Sequence, residues 1–334
     1  MSEVLKGIIK DMVVPGKGIL AADESVGTAG KRLASIGVEN TEEMRRQYRN
    51  MILTAPDFGK YISGVILFEE TLAHKADSGT LFPDVLKKVG TVPGIKVDQG
   101  LQEVNEKKEQ VTKGLEGLGE RLEKYKKTGA RFTKWRAVYT ISESTPSDEI
   151  IKQNAADLAK YAKSVQEHGM VPIVEPEVLI DGTHSIDQCE KATSKVLKAV
   201  FDALKKENVK LEYTILKPSM VISGKEAENG AGVKEVAQRT IKVLKATVPK
   251  ELPSINFLSG GQTPEEATAH LNEMHKLGEL PWYVSFSYAR ALQEPALKAW
   301  KGKKENLAAA QKAFIQRARL NGLATQGKYS EDME

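Results

Sequence analysis

Short apolar or β-branched runs, each bounded by glycine, proline or charge, recur along the chain at a regular rhythm. Eight of them predict strands, at 18–23, 61–68, 94–98 and 131–139 in the first half and at 171–175, 213–217, 254–259 and 282–287 in the second. Between them, apolar residues return at helical spacing over 42–53, 116–127, 147–168, 185–206, 233–247 and 264–276, several opened by Ser, Thr or Pro. Residues 2–14 interleave Glu3, Lys6, Lys10 and Asp11 with apolar positions and predict an amphipathic helix; 305–325 predicts another at the far end. Alternation of strand and helix implies a parallel sheet with crossover helices, and eight units is the number at which such a sheet closes. The expected fold class is α/β: a single (β/α)8 TIM barrel over residues 1–334 with additional N-terminal and C-terminal helices and a short acidic tail.

Composition narrows what such a barrel can be. Of the 334 residues, 40% are hydrophobic and 28% charged, which is ordinary for a globular chain and gives no disordered or membrane signature. Lys plus Arg exceed Asp plus Glu by only four, spread along the chain, so no basic stripe for nucleic acid is present. Cys189 is the only cysteine, so no internal disulfide can form and a reducing, cytoplasmic compartment is expected. No stretch approaches the roughly 18 apolar residues of a membrane span. The charge-rich 103–127 segment reads as a solvated face.

In a barrel of this kind the chemistry gathers where the strands end on their C-terminal side. Those ends carry Asp23 in GILAADES, Lys96 in GIKVDQG, Lys134 and Arg136 in FTKWR, Glu175 and Glu177 in VEPE, Lys217 in TILKPS, Ser259 in FLSGGQ and Arg290 in FSYAR. One charged strand end is usually a solvated terminus, but seven sharing a rim would converge on one mouth. Lysine attacks a carbonyl only as the free amine, a form favoured by desolvation or by neighbouring cations. Lys217 follows Thr214, Ile215 and Leu216 in an apolar run, and Lys134, Arg136 and Lys96 are expected to approach it; the bland alternative is a snorkelling lysine beside Pro218.

Glu175 and Glu177 lie two apart with Pro176 between them, so an extended backbone points both to one side. Their repulsion is expected to raise one of the two toward neutrality and make it a proton shuttle, with a plain salt-bridge network as the alternative. The Ser259-Gly260-Gly261 turn and Tyr288-Ala289-Arg290 fall in the two loops where barrels commonly hold phosphate: small residues open the backbone N–H groups, and Arg290 supplies charge. The five histidines show no familiar zinc-ligand spacing, so no metal and no cofactor is expected.

These residues carry a resemblance that extends from PGKGILAADES to NGLATQGKY, through GVILFEETL, KWRAVY, GMVPIVEPEVL, ILKPSMV, SFSYARAL and ALKAWKGKKENL. The chain resembles the class I, Schiff-base-forming fructose-1,6-bisphosphate aldolases. The resemblance implies a carbon-carbon lyase of glycolysis and gluconeogenesis that cleaves fructose 1,6-bisphosphate to dihydroxyacetone phosphate and glyceraldehyde 3-phosphate. It implies Lys217 as the Schiff-base lysine, Glu175 as acid/base, Asp23 assisting C3–C4 cleavage, Glu177 and Lys134 supplying charge, and Arg136 supporting them. It further places Ser259, Gly260, Ala289 and Arg290 at the 1-phosphate, Ser25, Thr28, Arg32 and Lys96 toward the 6-phosphate, and Gly261 and Ser287 among the substrate- and phosphate-binding residues. A homotetramer is implied by the same family, and a basic mouth also suits acidic-peptide or cytoskeletal partners as an additional role. Three positions depart from the best-known animal members: Ala289 replaces glycine, Tyr213 stands where glycine is common, and the last residues, from Lys328, lack the long tail ending in a tyrosine. Tyr329 is expected to be a surface anchor or disordered.

Overall fold

The computed structural model describes residues 2–334. Eight parallel strands close on themselves in the order β1-β10-β9-β8-β7-β6-β3-β2. They are β1 (Gly18–Ala22), β2 (Ile62–Leu67), β3 (Val92–Lys96), β6 (Phe132–Tyr139), β7 (Val171–Val178), β8 (Ile215–Leu216), β9 (Ser254–Phe257) and β10 (Tyr283–Tyr288). The barrel predicted from the apolar rhythm is therefore present. Two short strands, β4 (Leu101–Glu103) and β5 (Gln110–Thr112), form an antiparallel hairpin outside it, so the charge-rich stretch read as one solvated face is part hairpin and part helix.

Among the described residues thirteen α-helices accompany the strands: α1 (Ser2–Met12), α2 (Val26–Ala34), α3 (Glu42–Leu53), α4 (Phe58–Tyr61), α5 (Glu69–Ala73), α6 (Phe82–Lys88), α7 (Leu118–Lys127) and α8 (Asp148–Glu167) in the first half. The second half adds α9 (Ile186–Lys206), α10 (Val233–Thr247), α11 (Pro264–His275), α12 (Arg290–Trp300) and α13 (Leu307–Ala324). The long ones start where the sequence signals them: Ser147, Ser185 and Thr263 accept hydrogen bonds from the N–H groups of Ile150, Gln188 and Glu266. Each side chain satisfies a donor that the first helical turn leaves open, and at Ser185 and Thr263 the residue three further on closes a capping box.

Side-chain alternation divides the barrel interior in two. Along β6, Phe132, Lys134 and Arg136 point inward, while Trp135 joins the outer core between sheet and helices. The lower interior is apolar: Ile19, Ile66, Phe132, Val171, Ile173 and Ile215 pack together. Leu5, Ile8 and Met12, on one face of α1, close it from below. Phe132 fills the centre so completely that a Cβ added to Gly94 would lie 2.3 Å from its ring. Tyr213, at the base of β8, rests against this same cluster.

Candidate active site

Above that layer the same strands turn charged. A cavity of about 830 Å³ opens at the C-terminal end of the barrel, and every site residue expected from the sequence lines it: the six charged residues, both phosphate loops, Ser287, Lys96, Ser25, Thr28 and Arg32. Lys217, Lys134 and Glu175 are its floor, each no more than 4% exposed.

Glu175 is the hub. One carboxylate oxygen lies 2.9 Å from Lys217 Nζ and the other 3.1 Å from Lys134 Nζ. Lys134 reaches on to Asp23 at 2.8 Å, with Asp98 at 3.9 Å. Burial alone would push the Glu175 carboxyl up, but the Lys134, Lys217 and Arg136 cations outweigh it and hold the group below its ordinary value. The repulsion expected between Glu175 and Glu177 does not govern this group, because Glu177 is occupied by Arg136, to which it is hydrogen-bonded. Asp23 behaves alike: burial opposes ionisation, and Lys134 and then Lys217 overcome it, leaving the carboxyl far below the usual range. Lys134 is displaced upward for the converse reason, since three carboxylates outweigh its desolvation. The nearest charge to Lys217 is thus a carboxylate rather than the cations expected around it.

Above the floor, Ser259 is buried after β9, and Gly260 and Gly261 follow at φ +53° and +95°, a conformation that side chains disfavour and glycine adopts freely. The Arg290 guanidinium lies over this turn, 3.5 Å from where a Gly261 Cβ would stand. Ser287 Oγ is buried without a hydrogen-bond partner among the described residues, and Ala289 is the N-cap residue of α12, with no side-chain cap. Ala289 has φ −103°, so this position does not demand glycine. On the opposite wall Ser25 caps α2 by accepting from Thr28 N–H at 3.3 Å.

Sequence reasoning missed several lining groups. Asp98 pairs with Lys96 at 2.6 Å, two positions along the same loop of chain. Arg32 is not free for an anion alone, because its guanidinium sits 2.9 Å from Glu24. Eight cationic side chains line the cavity against six carboxylates, and among the described residues only Lys31 and Arg290 form no ion pair. Lys31 precedes Arg32 in the sequence, which was the one available signal. Tyr329 is neither exposed nor disordered: it is buried, its N–H donates to Asn272 and its hydroxyl to Glu334 at 2.8 Å, and it does not line the cavity.

Known proteins match this arrangement. The family model described as fructose-bisphosphate aldolase class-I matches residues 4–334. A probable class 1 fructose-bisphosphate aldolase of Xanthomonas axonopodis pv. citri (strain 306) is 53% identical over 98% of each chain. Cytosolic fructose-bisphosphate aldolase 4 of Arabidopsis thaliana is 52% identical over 96% of this chain and 82% of its own. A solved structure of Plasmodium falciparum fructose-bisphosphate aldolase, in complex with TRAP and a small-molecule inhibitor, superposes with a TM-score of 0.97 at 47% identity, covering 98% of this chain and 96% of that one. A closed eight-stranded parallel barrel, its mouth lined by Lys217, Glu175, Lys134 and Asp23, and matches of this extent give one conclusion: the chain belongs to the class-I fructose-bisphosphate aldolase family.

Proposed function

We propose that Lys217 is the nucleophile of this aldolase and that the observation carrying the assignment is its 2.9 Å contact with Glu175 on the buried floor of the cavity. A proton passed along that contact leaves a neutral amine and a protonated carboxyl, a nucleophile and a general acid made in one step. The amine adds to the C2 carbonyl of fructose 1,6-bisphosphate; Glu175 then protonates the carbinolamine hydroxyl, which departs as water and leaves an iminium. The resting ion pair is favoured by the cations around Glu175, and the anionic charge of a bound bisphosphate offsets them.

With the iminium as electron sink, a carboxylate takes the C4 hydroxyl proton and the C3–C4 bond breaks. Glyceraldehyde 3-phosphate departs and the enamine of dihydroxyacetone phosphate remains on Lys217. Glu175 serves as that base, with Asp23 beside it; Lys134, between the two, stabilises both ionised carboxylates, and Arg136 orients Glu177. Ser259, Gly260, Gly261, Ser287, Ala289 and Arg290 hold the 1-phosphate through backbone N–H groups, hydroxyls and the unpaired guanidinium. Ser25, Thr28, Lys96 and Arg32 hold the 6-phosphate, with Lys31 as the second unpaired cation of the mouth.

A cytoplasmic location accords with the cytosolic Arabidopsis relatives, and a homo-oligomer, a tetramer in particular, is inferred from the family alone. Borohydride reduction in the presence of dihydroxyacetone phosphate, followed by peptide mass spectrometry, tests the central assignment. Modification is expected at Lys217; stable modification of any other lysine in its place overturns it.

A further inference from the structure

In the wall of the cavity and behind it lies a buried polar network of which the chemistry above uses only Arg32. Glu24 follows Asp23 and precedes Ser25, so it sits at the hinge between the catalytic floor and the start of α2. Its carboxylate receives Arg32 from α2 at 2.9 Å, Arg49 from α3 at 2.7 Å, and the side-chain amide of Gln293 from α12 at 2.9 Å. Gln293 is fully buried, one helical turn beyond Arg290. Its amide nitrogen also donates to the Ala21 carbonyl of β1 at 2.7 Å, and its oxygen accepts from the Tyr48 hydroxyl at 2.6 Å. The Arg49 guanidinium lies 4.6 Å over the Tyr48 ring.

Four elements therefore meet at one amide and one carboxylate: α2, which is capped by Ser25 and carries Thr28, Lys31 and Arg32; α3, which carries Tyr48 and Arg49; α12, which begins at Arg290; and β1, which leads into Asp23. Each hydrogen bond has a defined length and direction, whereas the hydrophobic effect is non-directional. The start of α12 and the start of α2 are the two ends between which a bisphosphate has to fit. We propose that Gln293 and Glu24 are positioning residues that set the distance between the two phosphate-binding ends of the cavity and so select a substrate carrying two phosphates. The inference rests on the two-ended reading of the site given above.

A ligand with one phosphate has to meet only one end, whereas a bisphosphate has to meet both at once. A small shift of α12 against α2 therefore penalises the bisphosphate selectively. The test compares fructose 1,6-bisphosphate with fructose 1-phosphate for the full-length protein and two variants. Gln293→Leu keeps the side-chain volume and removes all three hydrogen bonds; Tyr48→Phe removes only the one to the Gln293 oxygen. In Gln293→Leu, KM for the bisphosphate is expected to rise about tenfold, with kcat and KM for fructose 1-phosphate within about twofold of the parent. Tyr48→Phe shifts the same ratio by about threefold, and decides the matter if Gln293→Leu does not fold.

Equal losses on both substrates, or unchanged kinetics accompanied only by a lower melting temperature, would show a purely structural network and overturn the proposal. Borohydride trapping on the parent protein separates the two levels. A parent that trapped dihydroxyacetone phosphate at a lysine other than Lys217 would remove the site reading and this inference with it. A parent trapped at Lys217 whose variants keep the parental substrate ratio would remove the inference alone.

Discussion

The lower and upper halves of the barrel interior are built from the same strands, yet they solve opposite problems. Below, Ile19, Phe132, Ile173 and Ile215 fill space and α1 seals them from water. Above, two residues further along, Lys134, Glu175 and Lys217 occupy equally buried positions as ions. Burying apolar surface is favourable in itself; burying an ion is costly unless a partner of opposite charge and good geometry compensates it. The lower half therefore tolerates loss of a contact in proportion to the atoms removed, while the upper half depends on every partner being present. In the proposed mechanism that dependence is put to use, since a substrate can redistribute protons among groups already in contact.

Replacing Lys217 by methionine separates the halves most sharply. Turnover is expected to fall by on the order of 10⁴-fold or more, while the fold persists because Glu175 keeps Lys134 at 3.1 Å. Steady-state assay with circular dichroism checks it, and a variant with a tenth of parental activity would contradict Lys217 as nucleophile.

Lys134→Met should be the most damaging to stability among the floor residues, costing about 3–5 kcal/mol because Asp23 and Glu175 lose their shared cation. Its pH dependence carries the sign of the effect. Both carboxyls have folded values below their unfolded ones, so their stabilising contribution is present above the unfolded range, about pH 4, and fades as pH falls through the folded values. The gap in stability between parent and variant should accordingly narrow on acidification, as read by urea unfolding at neutral pH and below pH 4.

In the lower half, Gly94→Ala drives a methyl into the Phe132 ring and is expected to cost about 1–3 kcal/mol with no such pH dependence. A melting-temperature shift that grew or shrank between pH 7 and pH 4 would blur the distinction between the halves. The smallest effect belongs to Ser287→Ala. Its buried hydroxyl has no partner among the described residues, so unfolding free energy should change by no more than about 0.5 kcal/mol while KM for the bisphosphate rises.

Much of this was legible in the chain. The boundaries of α3 and α10 agree with the periodicity to the residue, and the other long helices to within about two, because amphipathic spacing and Ser, Thr or Pro caps act locally. Less legible were the short helices, which have few turns in which a period can show. In α2, Gly27 and Gly30 lower helix propensity; in α12, Pro295 interrupts the pattern; packing against the barrel overrides both. The hairpin of β4 and β5 lay hidden in a charge-rich stretch because its pairing is set by register, not composition.

By itself, then, the sequence determined the alternation of strands and helices, the eightfold closure, and which residue types reach the inner face of each strand, all of which follow from periodicity along one segment. Only the tertiary structure decided which charge meets which. Arg136 stands opposite Glu175 in the register of β6 with β7, yet it bonds Glu177, while Glu175 turns to Lys134 and to Lys217 just past the end of the next strand. Arg32, in the last turn of α2, is likewise held by Glu24 ahead of that helix, and Tyr329 is drawn under Asn272 and Glu334. The ion pairs of the floor form across strands, between positions far apart in the chain, so their partners are chosen by strand register and barrel closure, which no single segment encodes.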